Sequence, residues 1–199
     1  MNACKRIGFA ATAILIAASL ALPATAAAGG RHHHRHHHHA KRSHRGPMTF
    51  QGQCHFVGTV TFTPGMTNEP QSIQQHVNAP GTCNGTLTDR RGRTHDLQNG
   101  RAAYIASELA PSSSCSGGTA EGYGKLVFRY GSLRFVESET RAGVVVQATA
   151  TGREGGTASG VAEPTPDQNP ADALQQCAGS GIHSARIAID LATTPTISG

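Results

Sequence analysis

The stretch Phe50-Gln51-Gly52-Gln53-Cys54-His55-Phe56-Val57-Gly58-Thr59-Val60-Thr61-Phe62 decides the fold class. Phe50, Gly52, Cys54, Phe56, Gly58, Val60 and Phe62 share one face of an extended chain. Gln51, Gln53, His55, Thr59 and Thr61 share the other, with Val57 the exception. Side chains of a strand point alternately to its two faces, so this pattern reads as a half-buried strand. Pro64-Gly65 predicts its end.

The same alternation recurs downstream. The polar stretch up to Pro80-Gly81 is ambiguous, with a short strand expected around Ile73–Val77. Cys83–Leu87 alternates again, and Asp89-Arg90-Arg91-Gly92 supplies turn chemistry. Strands are predicted over Arg101–Leu109, Gly122–Tyr130 and Leu133–Thr140, with Pro111–Gly118 read as a loop and Gly131-Ser132 as a turn. Val144–Thr151 and Thr157–Ala162 read as a hairpin across Gly152–Gly156. Asn169 as N-cap, Pro170 at the first helical position and Gly179 after Cys177 predict one short helix. Ile182–Ala192 is the last predicted strand, and the chain beyond Pro195 is expected to fray.

Many short strands and one short helix predict an all-β domain over 48–199, either a single antiparallel β-barrel or a two-sheet β-sandwich. Tryptophan is absent and many inward positions are Ala, Gly or Val, so the core should be modest. Disulfides should make up part of the shortfall.

Upstream, Lys5 and Arg6 precede an apolar run from Ile7 to Leu22, followed by Pro23 and the small-x-small site Ala24-Thr25-Ala26. That is the layout of a cleaved secretion signal over 1–26. Gly8, Thr12 and Ser19 interrupt the run, which is short for a stable span, so no transmembrane anchor is expected. The mature protein is expected to be secreted or held at the cell envelope. Loss of the signal removes Cys4 and leaves Cys54, Cys83, Cys115 and Cys177, an even set in an exported chain. Four cysteines allow three pairings. Cys54–Cys83 and Cys115–Cys177 are favoured because sequence-near strands usually pair, and the lack of any CxxC pair argues against a zinc site.

Residues 27–47 form a His/Arg-rich leader. It contains His32, His33, His34, His36, His37, His38, His39 and His44, with Arg31, Arg35, Lys41, Arg42 and Arg45 and no acid. Nothing in it between Gly29 and Pro47 can bury much apolar surface, so it should be disordered. The whole chain has 17 Lys+Arg against 12 Asp+Glu, a formal net charge of +5. Five of those cations lie in the leader and two in the signal, so ten face all twelve acids from Met48 onward. The body is therefore mildly acidic, which argues against a nucleic-acid-binding fold. The leader's neutral imidazoles are candidate ligands for zinc, nickel or copper ions. Below about pH 6.5 they gain charge and suit anionic wall polymers.

The body shows no GxSxG, HExxH or Walker motif. Its histidines are His55, His76, His95 and His183, and its candidate aspartates are Asp89, Asp96 and Asp190. His55 falls on a polar strand face, and His95-Asp96 falls in a predicted turn, where a solvated pair is expected. Glu137 and Glu139 share a strand face; they could act as paired carboxylates, but a solvated face is expected. The sequence thus points to a secreted or envelope-associated non-enzymatic β-domain whose leader binds divalent metal ions or anionic surface polymers. The alternatives are a small secreted enzyme, which needs a pocket with converging His, Asp or Glu side chains, and a carrier of an apolar ligand.

The motif FxGxCxFxG over Phe50–Gly58, the motif GTCxGTLT over Gly81–Thr88, and a glycine-rich end with Cys177 near the last strand also carry a resemblance. The layout resembles uncharacterised small secreted β-proteins of actinobacteria-like, high-GC genomes. That resemblance implies an extracellular barrel or sandwich and brings no activity and no site residues.

Overall fold

The computed structural model describes residues 46–199; the signal and most of the leader, with all eight leader histidines, lie outside the described residues. The described residues form a closed barrel of eight antiparallel strands in sequential order, β1 to β8, with β8 pairing back onto β1. The strands are β1 (Thr49–Met66), β2 (Gln71–Thr88), β3 (Thr94–Ser114), β4 (Gly117–Phe128), β5 (Gly131–Ala142), β6 (Val145–Gly152), β7 (Gly155–Pro164) and β8 (Ile182–Ser198). A single helix among the described residues, α1 (Pro170–Ala178), interrupts the connection from β7 to β8. Of the two expected architectures, the barrel is the one formed.

Several strands run further than the sequence pattern suggests. β1 continues through Pro64, and β2 is one strand across Pro80, where the sequence reads as ambiguous. Pro111–Ser114 extends β3 instead of forming a loop, and only Cys115-Ser116 turns the chain into β4. The end beyond Pro195 does not fray. Its last residue exchanges two backbone hydrogen bonds with Met48, at 3.2 and 2.9 Å, which closes the ladder at that end. Closure explains these extensions: with a partner on both sides, even a polar segment satisfies its backbone groups within the sheet.

Alternation then sorts side chains inside and outside. Phe50, Phe56, Ile73, Leu87, Leu126, Leu133, Phe135 and Ile197 are fully enclosed. The outer surface carries residues such as Gln51, Gln53, His55, Asn78, Arg101 and Arg134. Apolar inside and polar outside is the reverse of a lipid-facing barrel. No described helix is long and apolar enough to cross a membrane.

The barrel has a packed end and an open end. The packed end holds Met48, Leu87, Leu97, Phe128, Leu133 and Ile197, with Phe50 and Phe128 rings 5.4 Å apart. Above it Phe56, Tyr104 and Phe135 form an aromatic layer, with Tyr104 5.8 Å from Phe56 and 5.7 Å from Phe135. At the open end α1 lies beside the mouth. Asn169 caps it by accepting from the Ala171 N–H at 3.0 Å, as its side-chain chemistry predicts.

Both disulfides pair as favoured from the sequence. Cys54 and Cys83 are register partners on β1 and β2, and Cys115 in the β3–β4 turn bonds Cys177 of α1. Cys177 is the sole buried residue of α1, and Leu174 is 71 % exposed, so the helix gains little from packing. It is tied by the disulfide and by the Asn68 N–H, which donates to the Cys177 carbonyl at 3.1 Å, while Thr165, Asp167 and Gln168 just before it bond to Arg186 of β8. Replacing Cys115 and Cys177 together by serine should therefore lower stability by about 2–4 kcal/mol. The β-sheet circular dichroism should be retained, while proteolysis within 165–181 accelerates. Denaturant unfolding with limited proteolysis checks this, and an unchanged cleavage rate would contradict it.

Candidate functional site: a carboxyl cluster in the barrel cavity

A cavity of about 1150 Å³ opens between the strand ends and α1. Its walls differ in chemistry. On one side stand Val60 of β1, Ala148 of β6, Gly160 and Ala162 of β7, and Ile187, Ile189 and Leu191 of β8. On the other stand Gln75 of β2, Tyr104 of β3, and Glu137, Glu139 and Arg141 of β5. Glu108 of β3 does not line the cavity but lies behind this polar side, against Gln75.

Register brings these residues together. Gln75 pairs with Glu108, Glu108 with Gly122 of β4, and Gly122 with Glu137, so all four lie in one row across the sheet. Gly122 has no side chain to separate the two glutamates. A Cβ there would sit 2.7 Å from Glu108 Cγ and 2.2 Å from the Ser107 carbonyl oxygen. The Glu108, Glu137 and Glu139 carboxyls consequently approach so closely that one oxygen of each lies within 4.8 Å of the others.

The hydrogen bonds form a chain. Tyr104 Oη donates to Glu137 Oε1, and the Gln75 amide nitrogen donates to Glu108 Oε2 and, at 2.5 Å, to Glu139 Oε2. The Arg141 guanidinium donates to Gln75 Oε1 at 3.0 Å and stacks over Phe62, 5.2 Å from the ring centre. The three carboxyls face one another without a hydrogen bond drawn between them. Glu108 Oε1 and Glu137 Oε2 remain buried without a hydrogen-bond partner among the described residues.

Burial is the main reason that these carboxyls hold their protons. It raises Glu108 to about 8, with the Glu137 charge adding to the shift, and raises Glu137 to about 7 against the lowering effect of its donors. Glu139 is likewise raised to about 8, by burial and then by the Glu108 charge. The same burial, with Glu137 beside it, lifts the Tyr104 hydroxyl well above its ordinary range, so it stays a donor. Burial lowers Arg141, and its acidic neighbours partly offset this.

The expectation of a solvated face for Glu137 and Glu139 is thus corrected: Glu137 is 1 % exposed and Glu139 half-buried. Both continue the inward phase set by Leu133 and Phe135, and that phase was the available signal. Gln75 lies in phase between Ile73 and Val77, and Glu108 between Ala106 and Ala110.

The four body histidines do not converge, and none lines the cavity. His55 meets Asp190 at 2.7 Å on the outer surface, where both are exposed. His76 meets Ser107 at 2.9 Å, also outside. His95 lies in β3 and not in a turn; it stacks on Tyr130 at 3.7 Å and meets Asp89 at 3.2 Å. Its sequence neighbour Asp96 is exposed and points away. Asp89 is a turn-forming residue, accepting from the Arg91 and Arg93 backbone N–H groups at 2.8 and 3.1 Å. His183 lies against Gly65 near the open end.

The class defined by this fold and cavity is a closed eight-stranded antiparallel barrel with an internal, one-sidedly polar cavity. No protein-family model matches the chain, and neither a curated protein nor a solved structure matches it.

The raised carboxyls fix a pH dependence of stability. A folded carboxyl that binds its proton more tightly than the unfolded chain favours folding at low pH, and that advantage is lost as pH rises through its folded value. Stability should therefore fall between about pH 4.5 and 8, across the interval from the ordinary value to the raised ones. Glu137→Gln and Glu139→Gln, which keep shape but remove ionisation, should each flatten the slope. Denaturant unfolding at pH 5, 6.5 and 8 provides the measurement, and a stability rising over this range would contradict the assignment.

Proposed function

We propose that the barrel is a container for a small amphiphilic molecule, exported from the cell and not dependent on catalysis. The observation that supports it best is the division of the cavity, apolar on the β6–β8 side and polar on the β2–β3–β5 side. A volume of about 1150 Å³ suits a ligand with a long or branched apolar body. Binding sites of this kind combine mostly apolar walls with a few converging polar groups that fix orientation. The small residues of β6 and β7 leave space where larger ones would fill it. Two disulfides are compatible with an oxidising, extracellular setting.

A polarity-sensitive apolar dye titrated into the protein tests this reading. Saturable binding at one site is expected. Ala148→Phe and Ala162→Phe, each of which adds a ring to the apolar wall, should weaken it about tenfold or more, a loss of at least ~1.4 kcal/mol. Dye binding unaffected by either substitution would place the dye elsewhere and defeat the proposal.

The leader supports a second reading on a separate observation, the gathering of eight histidines and five cations in one segment without acids. In this reading it captures zinc, nickel or copper ions, or anionic wall polymers as pH falls. Zinc titration of the mature chain against one lacking residues 27–47 is the test. The full chain should bind several more equivalents, and equal binding would remove the leader from consideration.

A further inference from the structure

We infer that the cavity selects an amphiphile with a cationic amine head, held by the carboxyl cluster through its N–H donors. This rests on the container reading and adds the chemistry of the head group.

The inventory of donors and acceptors carries the argument. The Tyr104 hydroxyl is spent on Glu137, and the Gln75 amide is shared between Glu108 and Glu139. Glu137 Oε2 and Glu108 Oε1 are buried carboxyl oxygens with no hydrogen-bond partner among the described residues, in side chains only 1 % and 5 % exposed. A buried carboxyl oxygen without a partner is costly, and a cationic N–H donor that draws off the proton satisfies it. Glu137 reaches the cavity directly and Glu108 lies behind it.

Charge points the same way. Besides Glu137 and Glu139, the rim of the cavity carries Glu163, Asp167 and Asp172, while Arg141 is the single cation lining it among the described residues. Asp167 is paired outside with Arg186 at 2.6 Å, which leaves Glu163 and Asp172 to draw a cation towards the mouth. Arg141 is itself occupied by Gln75, Met66 and the Phe62 face.

The groups facing Glu137 are Tyr104 and Glu108 from β3, and Glu139 and Arg141 from its own strand; β4 offers Gly122, and β6 offers Ala150. A cation arriving in this set stabilises carboxylates over carboxylic acids. Its binding should therefore expel protons from the cluster and tighten as pH rises.

Dodecylamine, dodecanol and dodecanoate, equal in chain length and used below their micelle concentrations, compete for the dye on the full mature protein at pH 6.5 and 8.5. The amine stays charged at both, since an alkylammonium titrates near about 10.4. Dodecylamine should bind about tenfold tighter than dodecanol at pH 8.5, the scale of a charge-assisted hydrogen bond. It should gain about tenfold between the two pH values while dodecanol stays flat. Calorimetry in buffers of different ionisation enthalpy should show proton release. Glu137→Gln and Glu139→Gln should each bring dodecylamine towards dodecanol. Tightest binding of dodecanoate would make Arg141 the anchor and overturn the inference, as would equal affinity for the three heads. Displacement of the amine by millimolar calcium or magnesium, with those ions bound in its place, would overturn it too. Failure of every probe and of the dye would instead bring down the container reading.

Discussion

Pairing of β8 back onto β1 is the constraint on which the rest depends. An open sheet can leave a polar face in water, but a closed barrel gives each side chain only two destinations, lumen or solvent. Once Leu133 and Phe135 are fixed inward, Glu137, Glu139 and Arg141 must follow them inside. The same phase carries Gln75 and Glu108 inward from strands that are otherwise apolar on that face. Register then aligns them, and Gly122 leaves the gap through which the Glu108 and Glu137 carboxyls meet.

Burying three carboxyls beside one arginine is energetically unfavourable if all three are ionised. The cluster limits that cost by keeping protons, as the raised values of Glu108, Glu137 and Glu139 show. Well-packed apolar residues in the same positions would commonly be neutral or stabilising. A leucine at position 108 or 137 would also fit the alternation that the rest of the barrel follows. Polar groups placed against that tendency, beside a cavity, are a local departure from the apolar interior that the rest of the barrel keeps.

Much of the architecture was legible in the sequence. The alternation from Phe50 to Phe62, the cap–proline–glycine signature of α1 and the favoured cysteine pairing all correspond to what forms. Strand lengths were not legible, because Gln71–Val77 and Pro111–Ser114 are polar or proline-bearing and owe their extension to neighbours on both sides. The cluster escaped for a related reason. Local composition assigns Glu-Ser-Glu to solvent, since charged residues are rarely buried, and only the phase inherited from Leu133 and Phe135 says otherwise. Gln75 and Glu108 lie far from Glu137 in sequence, so their meeting depends on register that no local window contains.

The two walls of the cavity also account for where covalent bonds are placed. Alanine and glycine along β6 and β7 create space, and space forfeits the packing contacts that a filled core would supply. The aromatic layer of Phe56, Tyr104 and Phe135 restores packing beneath the cavity, but nothing comparable lies above it. There α1 presents Leu174 to solvent and buries only Cys177, so side-chain packing could not hold it beside the mouth. The Cys115–Cys177 bond supplies that restraint without occupying the lumen. The Cys54–Cys83 bond joins β1 to β2 on the inner face, nearer the packed end. In this way α1 stays beside a mouth whose interior remains open.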